Sequence, residues 1–420
     1  MKTLISFCLF FILSINSISI SQSGWAKQRS FTVNTLIGIY FINDNTGWVV
    51  GNNGVICTTT NGGTNWVNGA YGQGGTWVSL YFKDQNTGII GGYNVSHLAG
   101  FIIKTTNNGN SWSRQDFNGE PYDIFSFGGD TIWSSRHDGY VMRSYNLGNT
   151  WTSTFVHQNL ELYTVYFINN LTGWTGGAVY QGLAYIYKTT NGGISWFNQF
   201  INSSNHFYGI YFINEQTGFA ATLNGCIYQT TDSGTNWLLK LSGINNVLFK
   251  IKFPSLNTGY AVGNIKTIIK TTNTGANWTV QLLPSNITSF ITFNNVLFRS
   301  ITLGWAIGDS GIIVKTTNGG EPLGIQYLGN EIVEEYRLSQ NYPNPFNPTT
   351  AIEFDLAKTT NAKLSIYDLT GKEIEILVNE DLKRGSYRVN YNAFNLSSGV
   401  YYYKLITNDF AETKKLVLLK

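Results

Sequence analysis

The sequence predicts an all-β chain in which a seven-bladed β-propeller is followed by an immunoglobulin-like β-sandwich. Of its 420 residues, 12% are charged and 15% are aromatic, and 45 glycines are spread along the chain, a composition typical of many short strands joined by tight turns. One motif recurs with propeller-like spacing, and a proline-rich segment then precedes a series of alternating apolar and polar runs. Because the length exceeds that of one ordinary compact core, we expect two structural units.

The recurring motif presents its signals in a fixed order. Its first copy begins near Leu36, continues with Thr-Gly-Trp at residues 46–48 and ends in Asn-Gly-Gly at 61–63 before a tryptophan. The copy around residues 129–133 is degenerate, and with it the chain holds seven copies. A unit of about 40 to 45 residues that contains four short strands is typical of a propeller blade. The tryptophans that close six copies, at intervals of 39 to 46 residues, are Trp66, Trp112, Trp151, Trp196, Trp237 and Trp278.

The seventh copy lacks its closing tryptophan and fourth strand. It ends in Asn-Gly-Gly at residues 318–320 and runs directly into Glu321 and Pro322. The sequence Ser23-Gly24-Trp25 near the start of the chain supplies the missing residue type. We therefore expect the N-terminal segment to complete the last blade and close the ring, which would remove the exposed edges of an open array of sheets.

The turn before each tryptophan resembles a known repeat. The segments 59–66 and 230–237 resemble the Asp-box, also called the BNR repeat, and the whole unit is most similar to propellers of the photosystem II stability and assembly factor type. The resemblance covers residues 24–320. It implies that the box is a structural turn away from the ligand face. Only Asp232 carries the aspartate of the box, and other copies have asparagine or lack the match.

The last 83 residues or so, 338–420, have a different composition. A proline-rich segment at 342–348 is followed by runs of alternating apolar and polar residues. Together with residues 332–337 as a possible first strand, these runs give about seven short strands, which predicts an immunoglobulin-like sandwich. This region closely resembles the type A sorting domain of the type IX secretion system. The residues that carry the sorting signal in this resemblance are Pro343, Asn344, Pro345, Phe346, Asn347, Pro348, Gly371, Gly399, Lys414 and Lys415.

The resemblance implies export through the periplasm, recognition by the outer-membrane translocon and a final location at the cell surface or in the medium. An ordinary accessory β-sandwich is the alternative. Lys2, an apolar stretch at residues 4–13 and small residues at 19–21 predict a secretory signal peptide over residues 1–21. We thus expect a propeller at 22–320, a linker at 321–337 and the sorting domain at 338–420.

Charge and hydropathy narrow the range of partners. The formal net charge is +3, and no block of basic residues appears, so nucleic acid is not an expected partner. Outside the signal peptide no apolar run approaches the length of a membrane span, so we expect no transmembrane segment in the mature chain. No closely spaced histidine pair is present, and we predict neither a metal site nor a cofactor.

A ligand face is predicted on the loops that join the second strand of a blade to the third and one blade to the next. Aromatic, imidazole and guanidinium groups in these loops suit stacking and hydrogen bonding to a protein or polysaccharide, although polar residues collect in loops without any such role. The candidate ligand-binding residues are Tyr93, His97, Arg136, His137, Asp138 and His206.

A secreted glycoside hydrolase or sialidase-like enzyme is the alternative function. Glycoside hydrolysis usually needs two carboxylates at a set separation, but the acidic residues outside the regular strands are scattered and no motif brackets them. We therefore assign no catalytic residue and predict an exported binding protein. These scattered carboxylates are Asp116, Glu120, Asp130, Asp138 and Glu161.

Overall fold

The structure is a computed structural model. It describes residues 22–69, 74–94, 99–180, 182–202, 206–241, 244–284, 286–288, 290–323, 325–329, 333–393 and 396–419. These residues form two compact units, one from Ser23 to Glu321 and one that contains the described residues from Pro322 onward. The predicted signal peptide at 1–21 lies outside the described residues. No helix among them is long and apolar enough to cross a membrane.

The first unit contains seven four-stranded antiparallel sheets, which we number as blades 1 to 7. Its first strand is β1 (Gln22–Lys27). Blades 1 to 3 consist of β2 (Leu36–Phe41), β3 (Gly47–Gly51), β4 (Ile56–Thr59) and β5 (Val67–Asn68); β6 (Thr76–Phe82), β7 (Gly88–Tyr93), β8 (Gly100–Thr105) and β9 (Ser113–Phe117); and β10 (Pro121–Phe125), β11 (Ile132–Arg136), β12 (Tyr140–Ser144) and β13 (Thr152–Phe155).

Blades 4 to 7 repeat the pattern. Short 3₁₀ turns at Asn52–Gly54 and Asp309–Gly311 occupy equivalent places in blades 1 and 7. The strands are β14 (Leu160–Phe167), β15 (Gly173–Val179), β16 (Ala184–Thr189) and β17 (Phe197–Asn202); β18 (Phe207–Phe212), β19 (Gly218–Thr222), β20 (Ile227–Thr230) and β21 (Leu238–Leu241); β22 (Leu248–Lys252), β23 (Gly259–Gly263), β24 (Thr267–Thr271) and β25 (Thr279–Val280); and β26 (Phe293–Phe298), β27 (Gly304–Gly308) and β28 (Ile313–Leu323).

The seven sheets form a closed ring. The innermost strand of each blade contacts that of the next, and β26 contacts β2 to complete the circle. The fourth strand of blade 7 is β1, which lies beside β28, and the Gln28 N–H donates to the carbonyl of Ile313 at 2.8 Å. Trp25 is 1% exposed. The structure thus confirms that the N-terminal segment completes the last blade.

Aromatic stacking holds adjacent blades together. Six blades have a phenylalanine at an equivalent position, which is the last residue of the innermost strand or, in blade 6, the residue directly after it. An aromatic side chain on the second strand of the preceding blade stacks on this phenylalanine at five interfaces and at the ring closure. Each pair contributes about 0.5–1.5 kcal/mol beyond its buried area. The pairs, with ring centroids 3.5 to 4.3 Å apart, are Trp48–Phe82, Trp133–Phe167, Trp174–Phe212, Phe219–Phe253, Tyr260–Phe298 and Trp305–Phe41.

This stacking explains the Thr-Gly-Trp motif. A Cβ added to Gly47 would lie 2.5 Å from the Phe41 ring, so only glycine leaves room for that ring. The closing tryptophan of the same blade, Trp66, meets Phe41 edge-on at 5.9 Å. Blade 3 is the exception, because Ser126 follows its innermost strand where other blades place phenylalanine.

In the glycine turns, a side-chain oxygen of the box asparagine or aspartate accepts a backbone hydrogen bond. Asn61 Oδ1 accepts the Asn65 N–H at 2.9 Å and the Thr59 hydroxyl at 3.0 Å. In blade 5, Asp232 Oδ1 accepts the Asn236 N–H at 2.8 Å, and hydrogen bonds from Asn236 lower the pKa of this carboxyl. Because the turn needs one acceptor oxygen and no charge, asparagine replaces the aspartate of the box without loss of the turn.

The second unit contains two four-stranded sheets that share one apolar core. Their orders are β29-β34-β31-β30 and β33-β32-β35-β36. The strands are β29 (Ile325–Gly329), β30 (Arg337–Leu338), β31 (Thr349–Leu356), β32 (Thr360–Tyr367), β33 (Glu373–Leu382), β34 (Gly385–Asn392), β35 (Gly399–Ile406) and β36 (Ala411–Leu418).

The segment expected to be a linker, 321–337, differs from that expectation. It contains the end of β28 and the whole of β29, which pairs antiparallel with β34, because Ile325 packs against the core of the second unit. A strand is predicted over residues 332–337, whereas the described part of this range, 333–337, contains the first residue of the two-residue strand β30, which pairs with β31.

Candidate functional site

Every innermost strand of the propeller contains a β-bulge at the same position. The pairing between the first and second strands skips one residue there, so that residue takes no part in the ladder and turns out of it. In blade 4, for example, Leu162 pairs with Gly177 and Thr164 with Gly176, and Tyr163 is skipped. The seven skipped residues, which we call the mouth ring, are Ile37, Val78, Tyr122, Tyr163, Tyr208, Phe249 and Asn294.

The mouth ring encloses one pocket in the centre of the propeller. All seven of its residues line a cavity of about 150 Å³, together with Thr35, Tyr93 and Lys250. The ring is uneven, since Ile37 and Val78 are aliphatic whereas four consecutive blades contribute aromatic side chains. Because the bulge lies at the same position in every blade, one residue from each repeat lines the pocket.

The aromatic side chains pack into a continuous series. The Tyr163 ring centroid lies 5.4 Å from that of Tyr122 and 4.6 Å from that of Tyr208. Phe249 lies 5.3 Å from Tyr208, and the His137 ring stacks on Tyr122 at 5.0 Å. We call these five residues the aromatic arc. Mutual packing fixes the rings, so the arc presents a rigid surface at little cost in side-chain entropy.

An ion pair forms the floor of this pocket. Lys250 of blade 6 reaches across the channel to Asp123 of blade 3, with Nζ to Oδ2 at 3.0 Å. Thr164 Oγ1 and the Val165 N–H donate to the same oxygen at 3.2 and 3.3 Å. The two charges cancel, and the pair separates the pocket from a lower cavity that is lined by residues such as Tyr40, Tyr81 and Lys252.

Two carboxylates flank His137, the histidine of the aromatic arc. Glu120 Oε2 lies 3.6 Å from His137 Nδ1, and Glu161 Oε2 lies 3.7 Å from Nε2. Glu161 also accepts the hydroxyl of Tyr163. Burial, followed by this hydrogen bond, raises the pKa of Tyr163, and burial followed by the charge of Glu161 raises that of Tyr208. The Glu161 carboxylate therefore acts electrostatically on several rings of the arc.

The predicted ligand-binding residues divide into two groups. Tyr93 lines the pocket, His137 belongs to the arc, and His206 stacks near Tyr163 with centroids 6.1 Å apart. Burial lowers the pKa of His206, and Glu161 opposes this effect. Arg136, the last residue of β11, pairs with Asp138 in the turn that follows, and neither belongs to the pocket lining. His97 lies outside the described residues.

The loop-based prediction missed the strand residues that make the pocket. These residues lie on the innermost strands of their blades, where the side chains of a repeat are expected to belong to the core. They are Tyr122, Tyr163, Tyr208, Phe249 and Lys250. When the seven copies are aligned, this position varies from aliphatic to aromatic to amide, whereas the residue before it is apolar in every copy, and that contrast is the signal in the sequence. No group of three or more metal-ligating side chains gathers within the described ranges.

Several of the predicted sorting-signal residues lie along β36. Asn344 Nδ2 donates to the Lys415 carbonyl at 3.2 Å, and its Oδ1 accepts the Val417 N–H at 2.9 Å. Phe346 is 2% exposed and its backbone bonds to Val417 and Leu419 at 3.0 and 2.9 Å. The proline-rich segment thus covers the edge of the last strand. Pro343, Pro345, Asn347 and Pro348 lie in this same segment.

Three more of the predicted sorting-signal residues make local structural contacts or begin a strand. Gly371 adopts a φ of 80° in the turn after β32, where its N–H donates to the Asp368 carbonyl at 3.0 Å. Gly399 begins β35, and Lys414 pairs with Glu412 at 2.9 Å.

Comparison with known proteins agrees with this architecture. The family model for photosynthesis system II assembly factor YCF48 matches residues 18–176 and 238–333, more than half of the chain. The chain belongs to this family. Residues 340–419 match the secretion system C-terminal sorting domain, so a YCF48-type propeller is joined here to a type IX sorting domain. No curated protein matches the chain significantly.

Solved structures show the same propeller fold. YCF48 bound to D1 peptide is 19% identical with a TM-score of 0.59, covering 71% of this chain and 99% of that one. YCF48 from Cyanidioschyzon merolae is 16% identical with a TM-score of 0.57, covering 70% and 98%. The WD40 propeller domain of Doa1 is 15% identical with a TM-score of 0.55, covering 71% and 97%.

Proposed function

We propose that this YCF48-family protein is an exported binding protein whose propeller holds a segment of a partner protein at the mouth ring. The observation that carries the proposal is the pocket itself, in which all seven blades place their skipped residue and four of those residues are aromatic. Rigid aromatic side chains in a central pocket are the usual source of binding energy at protein interfaces. A related propeller bound to a peptide supports the choice of a protein partner.

The sorting domain supports delivery by the type IX secretion translocon to the cell surface or the medium. Residues 1–21 would serve as the signal peptide, and two sheets around one core support an immunoglobulin-like sandwich for residues 338–420. Deleting 338–420 should leave the propeller in the periplasm, as measured by cell fractionation and surface proteolysis. Arrival of the truncated chain at the surface would contradict this route.

Binding at the mouth can be tested on the full chain with arrays of random peptides and of bacterial polysaccharides. Tyr208→Ala removes one ring of the arc and should weaken peptide binding about tenfold, equivalent to about 1.4 kcal/mol. Tyr180→Ala is the matched control, because Tyr180 is 75% exposed in a turn of blade 4. Equal losses in both variants would refute the mouth as the site, and binding of polysaccharides alone would refute a protein partner.

The same contacts favour a binding role over glycoside hydrolysis. A sialidase-like site needs a reactive nucleophile and arginines for the substrate carboxylate. Arg136 is held by Asp138 and does not line the pocket, so it is not placed to bind such a carboxylate there. Turnover of a glycoside that disappears in Glu161→Gln would establish the enzymatic alternative instead.

A further inference from the structure

We propose that the mouth ring selects a lysine or arginine side chain of the partner protein. This inference rests on the proposed function and specifies which chemical group of the partner enters the pocket. It depends on three features: the faces of the aromatic arc, the charges around the pocket and the size of the cavity.

The aromatic arc supplies the first feature. The face of an aromatic ring attracts a cation, by about 0.5–1 kcal/mol at exposed sites and about 2 kcal/mol where water is excluded. Tyr122, Tyr163, Tyr208 and Phe249 line one cavity, and Tyr93 lies beside them. A positive group inside this pocket would therefore meet several rings at once.

The charges around the pocket supply the second feature. The positive charge of Lys250 is matched by Asp123 at 3.0 Å, and Thr164 donates a further hydrogen bond to the same Asp123 oxygen. Lys252 lies beyond that pair, in the lower cavity. Behind the lining, Glu161 accepts a hydrogen bond from the hydroxyl of the lining residue Tyr163, and Glu120 and Glu161 stand on either side of His137. With the floor neutral overall, these carboxylates next to the pocket make it favour a positive ligand.

The cavity size supplies the third feature. A volume of about 150 Å³ is close to that which admits one benzene-sized group in an engineered protein cavity. It fits a single long side chain rather than a chain of sugar rings. The methylene stem of lysine or arginine would pack against Ile37 and Val78 on the aliphatic side of the mouth ring, as such stems do on apolar surfaces.

The test uses the full chain and capped peptides of the form Ser-Gly-X-Gly-Ser, in which X is arginine, lysine, norleucine or glutamate. Calorimetry or fluorescence anisotropy gives the affinities. Peptides with arginine or lysine should bind about tenfold more tightly than the norleucine peptide, which has the stem without the charge, and the glutamate peptide should be weakest. Glu161→Gln should remove most of that difference.

Two controls separate charge recognition from loss of structure. Glu215→Gln makes the same chemical change near Asn169, away from the pocket, and should leave the affinities unchanged. For the unaltered protein, raising salt from about 50 to about 500 mM should weaken the arginine peptide more than the norleucine peptide.

The outcomes distinguish the two proposals. Equal binding of the arginine and norleucine peptides, with no difference in salt dependence, would overturn cation selection and leave peptide binding at the mouth intact. A complete lack of binding by all four peptides, with polysaccharides bound instead, would overturn the proposed function as well.

Discussion

At the scale of single residues, the channel places two lysines near one carboxylate. Lys250 and Lys252 lie on β22, and Asp123 is the acidic partner that faces them from blade 3. Burial, and then the nearby charge of Lys250, lower the pKa of Lys252 to about 8, whereas Asp123 opposes the shift. Lys252 also lies over the Tyr211 ring, with Nζ 5.5 Å from its centroid. The lower cavity thus holds a lysine whose pKa lies well below its ordinary value.

This shift predicts a pH-dependent contribution to stability. The pKa of Lys252 is about 8 in the folded protein and 10.5 ordinarily, so the unfolded chain binds more protons between these values and stability from this residue rises with pH across that window. Lys252→Met should be more stable than the unaltered protein near pH 7, and the difference should shrink near pH 9.5. Urea unfolding at both pH values measures it, with the exposed Lys83→Met as the control. A constant difference would show that Lys252 titrates normally.

At the scale of the element, the glycine turn joins one blade to its neighbour. Gly63 has a φ of 87°, and its N–H donates to Thr59 Oγ1 at 2.9 Å. Its Cα faces the indole of Trp66 in its own blade and that of Trp305 in blade 7. Gly63 therefore has to adopt a positive φ and also leave room for the two indole rings.

Gly63→Ala tests both requirements. The added Cβ would lie 3.1 Å from Trp305 Nε1 and 3.3 Å from Trp66 Nε1, and the positive φ adds strain for a residue with a side chain. We expect the free energy of unfolding to fall by about 1–3 kcal/mol, as measured by urea unfolding followed by tryptophan fluorescence. Gly129→Ala, which meets no atom within 4 Å, should change it little. Similar losses in both variants would indicate a general intolerance of alanine.

Elements differ in how well a sequence predicts them. The blade count, the glycine turns and the closing role of Trp25 were predictable because each depends on local residue types repeated along the chain. The mouth ring was not, since a bulge is a property of register between two strands and neither strand shows it alone. Tyr163 consequently looked like one more core residue, and only its omission from the Leu162 and Thr164 pairing moves it into the pocket.

At the scale of the whole molecule, the ring is closed by strands from opposite ends of the propeller. Trp25 packs edge-on against Tyr260 and Phe298, with centroids 6.3 and 6.0 Å away. Ser23 Oγ donates to the Leu282 carbonyl at 2.7 Å. Blade 7 therefore depends on residues that lie almost the full length of the propeller apart in sequence.

Removing the Trp25 side chain should loosen this closure. Trp25→Ala leaves a cavity in a fully buried position and should lower the free energy of unfolding by about 3–5 kcal/mol. Limited proteolysis should also cut blade 7 before the others, because its outer edge is released. Phe31→Ala, at a side chain that is 52% exposed, is the control and should stay close to the original stability. Uniform cleavage across all blades in Trp25→Ala would contradict a local closure.

The bulge repeated in every blade also bears on how this scaffold can diversify. A residue that contributes no hydrogen bond to its ladder can be exchanged with little damage to the strand that carries it, and here seven such residues border one opening. Substitutions at these positions can therefore change the shape and chemistry of the pocket one blade at a time. The aromatic side chains that stack between adjacent blades need not change. If the mouth ring binds the ligand as proposed, one position of the repeat determines ligand choice, and the stacked aromatic residues at other positions maintain the fold.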